Sequence, residues 1–76
     1  MGLYVRVQKV AGDDRSARYS FTTGDVPERI LLVDLDQDRI WPEDGDRDAI
    51  FRGAAQALAR ELEAQGRLPD LALLQS

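Results

Sequence analysis

The chain contains no cysteine and no histidine. No disulfide can staple it, and no zinc site of the thiolate and imidazole kind can be assembled. Nucleophilic catalysis loses its usual parts too, because Ser16, Ser20 and Ser76 have no imidazole to activate them. Lysine is nearly absent: Lys9 stands alone against nine arginines. No glycine-rich phosphate loop occurs. No apolar run approaches the ~20 residues of a membrane span. The opening Met-Gly-Leu-Tyr-Val-Arg-Val has no basic segment followed by a long apolar stretch, so no signal peptide is read there. The expected setting is the cytoplasm, with no membrane partner. Abundant Arg, Ala, Asp, Gly and Leu point to a GC-rich, bacterial coding sequence.

What remains is a globular composition. Apolar residues make up 43% of the 76 and charged residues 32%, too apolar for a disordered chain. Residues 1–76 form one domain, since there is no room for a second core. A domain this small buries only ~60% of its unfolded surface. Oligomerisation is the expected source of further stability.

Hydrophobic periodicity sets the elements. Leu3, Val5 and Val7 alternate with Tyr4, Arg6 and Gln8, which predicts a strand over 3–10. Gly12 to Ser16 is a polar turn, and Tyr19 and Phe21 alternate in a second strand over 17–23. Pro27 marks the next loop. The nearly continuous apolar run 29–35 reads as a central strand. Asp36 to Asp38 turns the chain into a short strand, 39–41, that stops at Pro42. Asp46 is the expected N-cap of a helix over 47–65. Ile50, Phe51, Ala54, Ala57, Leu58 and Leu62 form its apolar stripe, and Gly66 stops it. Asp48→Arg52 and Glu63→Arg67 are expected as i,i+4 pairs on its surface. The apolar tail, 68–76, is either a helical turn opened by Pro69 or an extended segment on the sheet.

The expected fold is α+β. A three- to four-stranded antiparallel sheet of two hairpins precedes one long helix on one face, in β-β-β-β-α order, with a short apolar tail. Ile30, Leu32 and Tyr4 fall out of phase with the core residues, which loads the second face of the sheet with apolar groups. A face of that kind is expected to be covered. Either the Leu-rich tail folds over it or a second subunit does, and a homodimer using Ile30, Leu32, Leu71, Leu73 and Leu74 is the favoured expectation. Gly53, Ala57 and Ala64 share one helix flank, read as contact with the domain's own sheet. Glu61 is read as a rim residue of the stripe, paired with water or a strand arginine.

Asp34, Asp36, Asp38, Glu43, Asp44, Asp46 and Asp48 fall within fifteen residues, interrupted only by Arg39 and Arg47. That stretch carries −5, more than the whole chain's net charge of −4. Asp34, Asp36 and Asp38 begin like a calcium loop, but Arg39 stands where a glycine is needed and Gly45 where a bidentate Glu should close it. The segment Ile30 to Asp38 resembles the Asp-x-Asp motif of haloacid-dehalogenase-type phosphatases over some nine residues. Those enzymes need a large parallel sheet and further motifs with a Lys, whereas Lys9 lies on the first strand, so the roles are not carried over. Trp41-Pro42 before the helix resembles the MbtH-like proteins that accompany nonribosomal peptide synthetases. The family's further tryptophans are missing, and this likeness is not adopted either.

No catalytic residue, metal or cofactor is therefore expected. Nucleic acid is disfavoured by the acidic balance. The expected function is a non-enzymatic interaction module, of the inhibitor, immunity or regulator kind. It would present Asp34, Asp36, Asp38, Glu43 and Asp44 to a basic protein, with Trp41 as an apolar anchor. The alternatives are a homodimeric scaffold and a weakly cation-responsive module.

Overall fold

The computed structural model describes residues 4–24 and 26–75. Leu3, expected in the core, and Ser76 of the tail lie outside the described residues. Five strands and one helix follow in order: β1 (Tyr4–Gly12), β2 (Ser16–Thr22), β3 (Arg29–Asp34), β4 (Arg39–Pro42), α1 (Ala49–Gln65) and β5 (Leu71–Gln75). They form one antiparallel sheet in the order β4-β3-β2-β1-β5, with α1 crossing from one edge to the other.

The α+β architecture and the β-β-β-β-α order match expectation. The strand count is five rather than three to four, because the tail is a strand. Two bonds draw it out. Lys9 N donates to Asp70 O at 2.9 Å, and the Tyr19 hydroxyl donates to Pro69 O inside the core. Held there, Ala72 and Leu74 alternate inward and Leu71 and Leu73 outward beside β1. A helical turn at Pro69 would have forfeited both bonds and left Ala72 and Leu74 without the alternation that buries them.

The first hairpin turns on two residues. Asp13 Oδ1 accepts from the backbone N–H groups of Arg15 and Ser16, both at 2.9 Å. Those two donors hold its carboxyl below the usual range. Gly12 has φ 109°, and a Cβ there would sit 2.3 Å from Ser16 O, so only glycine fits. A β-bulge between Lys9 and Ala11 precedes it.

Val5, Val7, Tyr19, Phe21, Leu31 and Val33 from the sheet meet Phe51, Ala54, Ala57 and Leu58 from the helix, with Leu68, Ala72 and Leu74 completing the core. Phe21 and Phe51 meet edge to face, centroids 6.2 Å apart. Gly53 is buried, and Ala64 is exposed. The helix packs chiefly on β5 and β1. Along β3 and β4 it leaves a shallow apolar groove of about 160 Å³ lined by Val33, Leu35, Ile40, Ala55 and Leu62.

The N-cap is Asp48, not Asp46. Asp48 Oδ1 accepts from Phe51 N at 2.9 Å. The carbonyl of Asp46 is held by Arg29 Nη2 at 2.7 Å, which keeps residues 46–48 out of the helix and starts it two residues later than expected. At the other end Gly66 adopts φ 73° and donates to Leu62 O at 2.7 Å. Among the described residues no helix is long and apolar enough to cross a membrane.

Candidate interaction surfaces

The acidic stretch does not form one free negative surface. Asp34 Oδ1 accepts from Asp36 N and Gln37 N and makes the β3–β4 turn. Asp36 pairs with Arg15 at 2.6 Å, and Glu43 with Arg18 at 2.8 Å. Asp44 accepts both Nε and Nη2 of Arg29, at 2.8 and 3.1 Å, and also the backbone N–H of Asp46. Asp48 caps the helix and binds Arg29 Nη1 with both oxygens at 2.9 Å. The expected Asp48→Arg52 pair is replaced by this contact. Within the stretch 34–48, Asp38, at φ 51°, and Asp46 are the two acids whose side chains have no hydrogen bond or ion pair among the described residues. No group of three or more carboxylates among the described residues is arranged to hold a metal ion.

The pKa shifts follow from these bonds. The Arg29 guanidinium, and then the Asp46 N–H, hold the Asp44 carboxyl below the usual range. Asp48 is held low first by the Phe51 N–H and then by Arg29. Arg29 is pushed further up in return, chiefly by Asp44. The Arg15–Asp36 pair is about two-thirds exposed on both sides, and a pair of that kind adds little to stability.

Arg29 organises the region, a role not expected from the sequence. Its side chain is only 17% exposed, and its guanidinium lies 4.8 Å above the Phe21 ring. The signal was present in the alternation. Arg29 is in phase with Leu31 and Val33, which face the helix, so its charge had to find acids on that side. Glu61 accepts from Gln65 Nε2 at 2.7 Å on the helix rim, not from a strand arginine.

The opposite face of the sheet has no helix over it. Register brings its side chains into rows. Trp41, Leu32 and Arg18 lie side by side, then Ile30, Ser20, Gln8 and Leu71, then Thr22, Arg6 and Leu73. Tyr4, Leu71 and Leu73 are 44%, 44% and 51% exposed, while Ile30, Leu32 and Trp41 are half-buried. Arg39 stacks over Trp41 at 4.3 Å, and Trp41 lines a recess of about 220 Å³ with Ala11, Arg18, Leu32 and Asp34. Of the residues expected to form a dimer contact, Ile30, Leu32, Leu71 and Leu73 lie on this face. Leu74 does not, because the alternation of β5 turns it into the domain's own core at 6% exposure. Trp41 is therefore set on a different surface from Asp44 and Asp48, which flank the helix start.

No protein-family model matches the chain, and no curated protein or solved structure is significantly similar to it.

Proposed function

We propose that the chain is a non-enzymatic protein-interaction module that meets its partner through the sheet face opposite α1. One observation carries this reading. That face exposes Tyr4, Leu71 and Leu73 on one flank and half-buries Ile30, Leu32 and Trp41 on the other, two apolar strips on either side of a polar band of Arg6, Gln8, Arg18, Ser20 and Thr22. The non-enzymatic part rests on composition, since neither histidine nor cysteine is present to act as base or nucleophile. A cytoplasmic setting fits the lack of cysteine.

This reading moves the contact away from the acidic stretch. Recognition of a basic protein by that stretch would depend on Asp38 and Asp46, the others being engaged in turn, cap or ion pair. An apolar contact survives salt, whereas a carboxylate contact weakens with it. The test is capture from native lysate on the immobilised chain at low and high salt. It compares the wild type with Leu32→Glu and with the pair Asp38→Lys and Asp46→Lys. Capture that survives salt and is lost only in Leu32→Glu supports the reading. Salt-labile capture lost only in the aspartate pair would return the contact to the acids. A chain that captures nothing at either salt would reject the module.

A further inference from the structure

We infer that the free edge of β5 is a pairing site for β5 of a second copy, joining two sheets into one of ten strands. The inference deepens the proposed function by naming one occupant, and rests on it only for the use of the joined face.

The direction of the backbone groups decides which edge is open. In an antiparallel pair, residues that exchange hydrogen bonds alternate with residues that do not. The bond from Lys9 N to Asp70 O fixes the phase between β1 and β5. Ala72 and Leu74 therefore bond to Val7 and Val5, while Leu71, Leu73 and Gln75 turn their N–H and C=O groups outward. All three are exposed, and no described strand lies beyond them.

The other edge is a poorer template by the same logic. Glu43 N bonds Ile30 O, so in β4 it is Ile40 and Pro42 that face outward. Pro42 has no N–H to give, and β4 is only four residues long. β5 carries none of the devices that blunt an edge: Leu-Ala-Leu-Leu-Gln has no charge, no proline and no bulge.

The outward groups are self-complementary. With Leu73 opposite Leu73 of the second copy, Leu71 falls opposite Gln75 and Gln75 opposite Leu71. Each of these three pairs exchanges two bonds, which gives six hydrogen bonds and leaves no outward group of Leu71, Leu73 or Gln75 unpaired. Shifting the register by one step either way leaves one end unpaired. The same register sets Leu73 beside Leu73 on the open face, with Arg6 next in each row. The two Arg6 positions are then three strand spacings apart, about 14 Å, beyond the Debye length at physiological salt. A two-fold axis through Leu73 fits the isologous contact that most soluble dimers use.

The experiment is sedimentation equilibrium of the full chain from micromolar to millimolar concentration, with amide hydrogen exchange followed residue by residue. The expected result is a monomer–dimer equilibrium in which the Leu71, Leu73 and Gln75 amides gain protection as dimer forms. Leu73→Lys sets two like charges on the axis, and Leu73→Pro removes one outward donor per copy without touching the bonds to β1. Each variant weakens the dimer by about tenfold or more while keeping the wild-type circular dichroism. A chain that stays monomeric to millimolar concentration would overturn the inference. So would a dimer whose Leu71, Leu73 and Gln75 amides stay unprotected. Should a folded Leu73→Lys monomer still capture a partner that Leu32→Glu loses, the open-face function stands without the edge pairing.

Discussion

Arg29 Nη1 lies 2.9 Å from both carboxylate oxygens of Asp48, so a strand residue and the helix cap share one ion pair. The same guanidinium also holds Asp44 and the carbonyl of Asp46. One side chain thus fastens the β4–α1 connection to the sheet. Arg29→Met keeps much of the packing over Phe21 but removes every one of those bonds. Bonds to charged partners contribute about 1.5–3 kcal/mol when lost, so the variant is expected to lose about 2 kcal/mol in urea unfolding. Lysine at this position recovers less than half, because a point charge cannot bond two carboxylates and a carbonyl at once. A loss below about 0.5 kcal/mol, the range of ordinary surface substitutions, would remove Arg29 from this role.

The shift of the cap from Asp46 to Asp48 makes a paired prediction. Asp48→Ala removes the acceptor for Phe51 N and one arm of the Arg29 network, and is expected to lower Tm by about 5–10 °C. Asp46→Ala leaves its carbonyl bond to Arg29 intact and is expected to leave Tm unchanged. Parallel thermal scans decide this, and equal losses in the two variants would contradict the assigned cap.

Stability should be flat across neutral pH and fall at both ends. There is no histidine to titrate near neutrality. The carboxyls of Asp13, Asp44 and Asp48 are held below their ordinary value in the folded chain. Their contribution is thus fully present above the unfolded carboxylate range, about pH 4, and is lost as pH falls through the lower folded values. Tyr19 behaves in the opposite sense. Burial, with Asp70 and Asp14 nearby, raises its folded pKa, so the unfolded chain ionises first and stability falls as pH climbs past about 10. Urea midpoints at pH 3, 5, 7, 9 and 11 would show the plateau and both limbs. In Arg29→Met the acid limb should be shallower. An acid limb of unchanged size would mean that other carboxylates carry it.

Much of the fold is written in local pattern. The alternation of Val5 and Val7, of Tyr19 and Phe21, and of Leu31 and Val33 assigns strands and core face together, and Gly66 ends the helix where expected. The misses share a cause, which is competition among residues distant in sequence. Asp46 and Asp48 are equivalent caps by type, and the choice between them was made by Arg29 from another strand. The tail was open between turn and strand until Tyr19, fifty residues earlier, fixed Pro69. The acidic stretch invites a reading as one surface. Arg15, Arg18 and Arg29, all N-terminal to it, take up Asp36, Glu43, Asp44 and Asp48 one by one. Charge density along a chain does not say which charges meet when it folds.

The bond from Tyr19 to Pro69 ties the central sheet to the segment that launches β5. Tyr19 is fully buried, and every buried side-chain polar atom among the described residues has a partner. Tyr19→Phe keeps the ring and deletes only the hydroxyl, leaving Pro69 O without its donor. The global cost is expected to be about 1–2 kcal/mol. The local effect is more telling. β5 is joined to the fold by β1, by α1 and by this bond, so its loss should raise hydrogen exchange at Ala72 and Leu74 more than at Leu31 or Tyr19 itself. If the increase is instead uniform over the sheet, the hydroxyl serves general stability and has no special part in placing the last strand.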